Sequence, residues 1–309
     1  MTENRILDIT ETSFYLRAEN NLLIMEEKNN ENAPPITIPF SDIAVVILSN
    51  KQNILTQSVL SSLAANKAFL IVCDHKNMPI ATMLPLYGHT LQAARFRKQA
   101  LASKPKQKQL WKQIVSAKIK AQANLLKQLH NKDFGLYALA TQVKSGDKTN
   151  LEARAAQIYW RNFFQNTVNF YRQPQTGEPP NHLFDYGYAI LRAIVARAIV
   201  SSGLNVTFGI HHHHRENSFC LADDLMEPLR PIVDKAVFKI VCNYGENAPL
   251  NKEIKQKLIS PLLQKFKINE EYRTLFDIAS KMASSLVAVY EDESNSLLLP
   301  DNINEYQQL

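Results

Sequence analysis

The sequence predicts an α+β protein in which a small N-terminal β-sheet domain, residues 1–88, precedes a larger all-helical domain, residues 89–309. Two observations support this division. Up to about residue 85, short β-branched and aromatic runs alternate with turn residues, as is typical of strands. After the loop at residues 85–89, apolar residues recur with the 3.6-residue period of helices. With 309 residues and 45% hydrophobic content, the chain can bury a substantial core.

The N-terminal part is predicted to form a small sheet interrupted by one helix. Its strands are expected at residues 5–10, 13–18, 22–25, 36–38, 43–48 and 69–73. The Asn20-Asn21 pair between the second and third strands is typical of a hairpin turn. The helix runs to about Ala65, with Thr56 as its N-cap and Leu55 and Leu60 spaced as a hydrophobic staple. We expect it to cover one face of the sheet.

The second part is predicted to contain eight helices. They are expected at residues 91–103, 107–130, 135–144, 150–169, 182–202, 224–242, 251–267 and 269–291. Breaks that contain Asn, Pro or Gly at residues 173–180 and 244–249 indicate connecting loops. From about residue 291 the chain is acidic and polar enough to fray.

Composition limits the functional classes. The net charge of +6 is compatible with a polyanionic partner such as nucleic acid, although so mild an excess does not establish one. The three cysteines lie far apart without a CxxC pair, which argues against a disulfide framework or a thiolate zinc site. Neither a signal peptide nor a run of roughly 18–20 apolar residues is present. We therefore expect a cytoplasmic protein without a membrane segment.

The predicted helix 107–130 has a lysine-rich side. Between Lys104 and Lys132 there are eight lysines and no Asp or Glu. Four of these lysines fall in one arc, opposite the apolar side of the helix: Lys108, Lys112, Lys120 and Lys127. Such a lysine face would contact DNA phosphates by charge without reading base identity. The alternative is an ordinary solvated helix face.

Residues 209–234, GIHHHHRENSFCLADDLMEPLRPIVD, hold the densest cluster of reactive side chains. Four of the chain's eight histidines lie there, with several acids and two arginines. Carboxylates bind hard divalent ions, and neutral imidazole suits Mn²⁺. The set therefore predicts a Mg²⁺ or Mn²⁺ site with open positions for a phosphate oxygen and water.

Other interpretations of these residues remain open. Asp224-x-x-Glu227 and Thr149-x-x-Glu152 each adjoin a predicted helix and fit a capping box. A four-histidine run also occurs in purification tags and zinc sites, but tags lie at termini and this run is mid-chain. A zinc hydrolase built on the run would lack the HExxH spacing.

Several stretches together resemble the CRISPR-associated integrase family known as Cas one. GIHHHHRENSFCLADDLMEPLRP is similar to the family's Gly-x-x-His followed by Leu-Ala-Asp-Asp-Leu-x-Glu-Pro-Phe-Arg-Pro. In the family's order, SGDKTNLEARAAQIYW resembles its first acidic motif, and NHLFDYGYAILRAIVARAIVSSGL its Asn-x-x-Leu-x-Tyr-x-Tyr-x-x-Leu helix. IPFSDIAVVILSN, LIVCDHKNMPIATMLPL and QLWKQIVSAKIKAQ extend the resemblance, in its type II form, over nearly the whole chain. The resemblance implies a β domain followed by a helical catalytic domain.

The resemblance also implies which residues are catalytic and bind the metal: Glu152, His212 and Glu227. His212 is selected because residues 209–212 align with the family's Gly-x-x-His and keep its fifteen-residue interval to Glu227. His213 and His214 depart from the family pattern. Asp224 and His211 are expected to be auxiliary ligands.

The activity that the resemblance implies is metal-dependent DNA integration. The 3′-hydroxyl of a captured DNA fragment would attack a phosphodiester at the edge of a CRISPR repeat, inserting a new spacer by transesterification. The implied partners are double-stranded DNA, a second copy in a homodimer, and the small adaptation protein Cas two in a heterohexamer. Two alternatives stay open, a general metal-dependent DNase acting on DNA repair intermediates and a non-catalytic DNA-binding scaffold.

Overall fold

The computed structural model describes residues 4–30, 32–165, 170–174, 176–268 and 271–300, and the backbone of 304–305. The chain divides into two units, Met1–Gly88 and His89–Leu309. The first is built on β-sheets and the second mainly on helices, which confirms the predicted α+β class.

The first unit contains two four-stranded sheets and one helix. Its elements are β1 (Arg5–Ile9), β2 (Phe14–Glu19), β3 (Leu22–Glu27), β4 (Ile36–Pro39), β5 (Ile43–Leu48), β6 (Ile54–Leu55), α1 (Gln57–Ala65), β7 (Phe69–Cys73) and β8 (Pro79–Met83). One sheet has the order β1-β5-β7-β8 and the other β4-β3-β2-β6. The six predicted strands are confirmed, whereas β6 and β8 were not predicted because their short runs lack a clear alternation of apolar and polar residues.

The helix α1 packs against both sheets, whereas the sequence predicted a helix covering one face of a single sheet. Its Val59 and Leu63 are buried in one cluster with residues of both sheets, and Leu55 and Leu60 pack against the same cluster. Thr56 lies at the N-cap position but makes no capping hydrogen bond. The predicted Asn20-Asn21 turn is confirmed, because both residues have the positive φ that a tight hairpin requires.

The second unit is organised around the long helix α3. Its helices are α2 (Gln92–Ala100), α3 (Lys104–His130), α4 (Leu136–Gln142), α5 (Leu151–Phe163), α6 (Asn181–Ser201), α7 (Cys220–Met226), α8 (Arg230–Tyr244), α9 (Lys252–Ile259) and α10 (Leu275–Tyr290). α3 contacts α4, α5, α8 and the 3₁₀ turn Glu227–Leu229. The active-site candidates on α5 and on that turn are therefore both next to α3.

The expectation of an all-helical second domain is wrong in one place. The segments β9 (Lys265–Ile268) and β10 (Glu271–Thr274) pair antiparallel, and β11 (Asn304–Glu305) joins β9. Alternation in Lys-Phe-Lys-Ile buries Phe266 and leaves Lys265 exposed, which suits a strand with one solvated face. α10 then begins after Thr274, which forms a capping box with Asp277. The helix predicted at 251–267 therefore ends at Ile259, and its last residues form β9. The predicted helix 269–291 starts too early, and its residues 269–270 lie outside the described residues.

Two further predicted boundaries need correction. The helix predicted at 150–169 ends at Phe163, and residues 166–169 of that prediction lie outside the described residues. The chain after Tyr290, expected to fray, is held in place as far as residue 298. The Leu297 amide donates to the side-chain oxygen of Gln113 on α3 at 2.8 Å, and the Leu298 amide donates to Ser285 at 3.0 Å.

Candidate active site

The site begins with a lysine on the buried side of α3. Ser103 caps this helix by accepting a hydrogen bond from the Lys106 amide. Lys118 lies seven residues after the buried Trp111 and seven before the buried Leu125, so it shares their face of the helix. Its side chain is only 12% exposed. A buried ammonium group requires charged partners, and two glutamates supply them.

Glu152 is the first of these partners. It lies in the first turn of α5, where its Oε1 accepts a hydrogen bond from Lys118 Nζ at 2.7 Å. The alternative interpretation of Thr149-x-x-Glu152 as a capping box is wrong, because Asn150 is the N-cap of α5 and makes no side-chain capping hydrogen bond. Asp147 caps α5 instead, because its two oxygens accept the Leu151 and Glu152 amides at 2.9 Å each. The Glu152 carboxylate is thereby left to face Lys118.

Glu227 is the second partner. It lies in the 3₁₀ turn between α7 and α8, which interrupts the helix predicted at 224–242 where Pro228 follows it. Its Oε2 lies 2.8 Å from Lys118 Nζ and 3.1 Å from Arg230 Nε, and its side chain is 6% exposed. Burial would raise the pKa of Glu227, but the charges of Arg230 and Lys118 outweigh it and lower that pKa to about 2. Glu227 is therefore ionised at neutral pH.

Lys118 is also charged at neutral pH, because its glutamate partners stabilise the ammonium form. Burial lowers the pKa of Lys118, but the negative charges of Glu227 and Glu152 outweigh burial and raise it above its ordinary value.

The loop before α7 positions His212 through Asp224. The Asp224 carboxylate is fully buried and accepts the backbone amides of residues 210, 211 and 212 at 2.6, 2.9 and 3.3 Å. It also lies 2.5 Å from His212 Nδ1. Gly209 makes this turn possible, because a Cβ there would lie 2.2 Å from the His212 carbonyl oxygen. Asp224 thus organises the loop. It does not form the capping box, because Phe219 is the N-cap of α7, and its role as an auxiliary ligand stays a prediction.

The hydrogen bond to Asp224 leaves His212 Nε2 as the nitrogen directed away from that contact. The same hydrogen bond raises the pKa of His212, against the opposing effect of burial, and the charges of Asp224, Glu227 and Glu152 raise it further. The His212 ring also packs edge-on against Trp111 of α3, with ring centroids 5.7 Å apart.

His211 has a different environment from His212. Its ring stacks on Trp111, with centroids 4.2 Å apart and planes 4° from parallel. Burial and the neighbouring His212 lower the pKa of His211. The expected role of His211 as an auxiliary metal ligand stays a prediction.

The structure thus brings the three expected site residues into one region. Glu152 and Glu227 meet at Lys118, and His212 packs against Trp111 on the same face of α3. Within the described ranges, however, no group of three or more His, Cys, Asp or Glu side chains is arranged to hold a metal ion. One feature fits a divalent ion: Glu152 Oε1 and Glu227 Oε2 lie 2.7 and 2.8 Å from the same ammonium group, so the two carboxylates already share one cation. Two such carboxylates and an imidazole are donor types that suit Mg²⁺ or Mn²⁺.

Sequence reasoning missed Lys118 and Arg230 as members of the site. Lys118 had a signal, because a lysine on the apolar face of an amphipathic helix must find a buried partner. Arg230 lies three residues after Glu227, on the same side of the turn.

Behind Arg230 lies a buried polar network. The guanidinium carbon of Arg230 lies 4.6 Å from the centre of the Tyr188 ring. The hydroxyls of Tyr159 and Tyr188 both donate to Asp234. Burial raises the pKa of Asp234 to about 6, although these two hydrogen bonds oppose that rise.

The lysine face of α3 is largely accessible. Lys108, Lys112 and Lys127 are exposed, whereas Lys120 is half-buried. The Lys108 stem packs beside Gly146, where a Cβ would lie 3.0 Å from it. In the part of the chain that the structure describes, no helix is long and apolar enough to cross a membrane.

The fold and the site define a class of protein with a β-sheet unit and a helical unit. The helical unit brings a buried glutamate, a half-buried glutamate and a histidine to one long helix. The family described as CRISPR associated protein Cas1 matches residues 7–249. The chain is also 35% identical over 283 residues to the CRISPR-associated endonuclease Cas1 of Neisseria meningitidis serogroup C (strain 8013), covering 90% of this chain and 91% of that protein. The chain belongs to the Cas1 family, as its motifs predict.

Solved structures agree on the fold. A casposase bound to an integration product superposes with a TM-score of 0.78 at 20% identity, covering 95% of this chain and 92% of that one. A Cas6-RT-Cas1–Cas2 complex gives a TM-score of 0.75 at 19% identity, covering 96% of this chain and 36% of that one. At these identities the likeness concerns the fold alone.

Proposed function

We propose that this chain is a metal-dependent DNA endonuclease and integrase that inserts captured DNA fragments as new spacers into a CRISPR array. The observation that carries the proposal is the convergence of Glu152 and Glu227, from separate elements, on the ammonium group of Lys118. His212 packs against Trp111, which lies on the same face of α3 as Lys118. Family membership supports it, since the similar Neisseria protein is named an endonuclease. A protein of the same fold was captured with an integration product.

Glu152, Glu227 and the Nε2 atom of His212 would hold a Mg²⁺ or Mn²⁺ ion. A bound divalent ion supplies positive charge against the negative charge that grows on phosphoryl oxygens during displacement. Asp224 holds the His212 imidazole by its other nitrogen, which is the usual way that a ligating histidine is oriented. Arg230 and its tyrosine support keep Glu227 ionised.

The proposed reaction is a transesterification. The 3′-hydroxyl oxygen of the fragment forms a bond to a phosphorus of the repeat as the bond to the repeat's own sugar oxygen breaks. The number of phosphodiester bonds is unchanged, so no nucleoside triphosphate is consumed. Water in place of the 3′-hydroxyl gives the alternative function, a DNase acting on repair intermediates, with the same protein residues.

The proposed partners follow from charge and from the fold relatives. The lysine face of α3 would contact the phosphates of double-stranded DNA. We also propose a homodimer that assembles with Cas2 into a heterohexamer. Support for Cas2 comes from the complex of Cas1 and Cas2 whose Cas1-containing chain shares this fold.

An integration assay tests the function. Purified chain, Cas2, a DNA fragment and a repeat-bearing plasmid should give joined products with Mn²⁺ and none with a chelator. A fragment with a 3′-dideoxy end lacks the nucleophile but keeps its phosphates, so joining should stop while DNA affinity is retained. Cleaved strands as the only products, unchanged by the blocked end, would establish the DNase alternative.

A further inference from the structure

The ammonium group of Lys118 lies where the two acidic residues of the proposed metal site meet. Its Nζ is 2.7 Å from Glu152 Oε1 and 2.8 Å from Glu227 Oε2. All three side chains are mostly buried, so water screens their charges poorly. A single positive charge therefore bridges two carboxylates that would otherwise repel each other.

The local charges balance without a metal ion. Glu152 and Glu227 contribute two negative charges, and Lys118 and Arg230 contribute two positive ones. A divalent ion held by the same carboxylates would bring two more positive charges to within a few ångströms of the ammonium. Like charges at that separation repel strongly in a poorly screened interior, so one of the resident cations must withdraw.

Lys118 is the cation that can withdraw. Arg230 is planar and lies against the Tyr188 ring, with their centres 4.6 Å apart. Lys118 ends in a compact ammonium on a flexible four-carbon stem.

We propose that Lys118 is an internal counter-ion that occupies the divalent-ion position in the metal-free protein and leaves it when the metal binds. The inference rests on the function proposed above, because it takes Glu152 and Glu227 to be metal ligands. Lys118 acts as a positioning residue: it holds the two carboxylates together before the ion arrives. Its second effect is to weaken metal affinity, because the ion must displace it.

Calorimetric titration of the full chain with Mn²⁺ alone tests this. Lys118→Met removes the competing charge, so it should bind Mn²⁺ about tenfold or more tightly than the unsubstituted chain. Lys118→Arg keeps a cation and should show no such gain. Lys104→Met, an exposed position on the same helix, is the matched control and should bind as the unsubstituted chain does. Equal or weaker binding by Lys118→Met overturns the inference.

Glu152→Gln separates this inference from the proposed function. If Glu152→Gln binds Mn²⁺ as well as the unsubstituted chain, the metal site itself is misassigned. If Glu152→Gln loses binding while Lys118→Met gains none, the metal site stands and only the counter-ion role fails.

A second measurement needs no substitution at Lys118. Acetylation of individual lysines can be followed by mass spectrometry in the unsubstituted chain, with and without Mn²⁺. Labelling of Lys118 should rise several-fold with Mn²⁺, because the displaced ammonium no longer binds both carboxylates. Labelling of the exposed Lys104 should stay constant. Unchanged labelling of Lys118 in protein shown to bind Mn²⁺ contradicts the displacement.

Discussion

Asp224 fixes the imidazole of His212 and the loop that carries it. Its two oxygens accept three backbone amides and face His212 Nδ1. The sequence indicated an acid at this place, but an acid in a motif can be a ligand, a cap or a support. Only the fold shows which donors surround it. Alignment to the family motif selected His212 among the four histidines, and in the structure the Nδ1 atom of His212 lies 2.5 Å from the Asp224 carboxylate.

Replacing Asp224 with asparagine should weaken Mn²⁺ binding by roughly 10- to 100-fold, the usual cost of losing a carboxylate that orients a ligating histidine. The amide also presents N–H groups to backbone donors, so the melting temperature should fall. Mn²⁺ titration and thermal unfolding measure both effects, with the exposed Glu216→Gln as control. Undiminished Mn²⁺ affinity in Asp224→Asn would show that His212 is oriented by something else.

Glu227 should make the metal-free protein sensitive to acid. Its pKa is lowered from 4.5 to about 2 in the folded state. Its contribution of about 3 kcal/mol is therefore present above pH 4.5 and is lost as the pH falls towards 2. Glu227→Gln should remove that part of the pH dependence in denaturant unfolding measured with a chelator present. If the free energy of unfolding of Glu227→Gln depends on pH as strongly as that of the unsubstituted chain, Glu227 is not the group paired with Lys118 and Arg230.

Asp234 should act with the opposite sign. Its folded pKa is raised from 3.8 to about 6, so the folded state favours the protonated form. The free energy of unfolding should fall by about 3 kcal/mol as the pH rises from 4 to 6, and stay lower above that. Asp234→Asn should flatten this decline. If the free energy of unfolding of Asp234→Asn still falls between pH 4 and 6 as it does in the unsubstituted chain, another group causes the fall.

At the scale of elements, the helix α3 contributes both to the proposed metal site and to the proposed DNA-binding surface. One side carries Lys118 into the site, and another presents the lysine face. The 3.6-residue pattern predicted this helix and its exposed lysines because both depend on local periodicity. The pattern could not show that Lys118 meets Glu152 and Glu227, since those contacts span 34 and 109 residues of sequence and depend on how the helices pack.

Removing the positive charges of the lysine face tests whether this face contacts DNA. Lys108→Gln, Lys112→Gln and Lys127→Gln together should weaken binding similarly across DNA sequences. Each lost phosphate contact should lower the log–log salt slope by roughly 0.9 for duplex DNA. Lys120→Gln should change the slope less, because Lys120 is half-buried. Lys252→Gln, exposed at the start of α9, is the control, and an unaltered slope in the triple variant would leave this face as ordinary solvated surface.

At the scale of the whole molecule, the order of a β-sheet unit and a helical unit was predictable because strands and helices differ in period. The β9–β10 pair was not predictable from the sequence. The spacing of apolar residues there fits an interrupted helix as well as it fits two short strands followed by a helix. The Thr274–Asp277 capping box marks the true start of α10, and such caps are visible in sequence once the boundary is suspected. The family motifs identified the site acids and histidine, while their separation in space is a property of the folded chain.

The central claim is that Glu152, His212 and Glu227 bind one divalent ion. Anomalous diffraction from crystals of the full chain containing Mn²⁺ tests it most directly. We predict one strong peak at about 2.0–2.3 Å from a Glu152 oxygen, a Glu227 oxygen and His212 Nε2, distances typical of divalent ions on oxygen and imidazole ligands. A peak held by His213 or His214 instead, or no peak between the two glutamates at saturating Mn²⁺, would contradict the account.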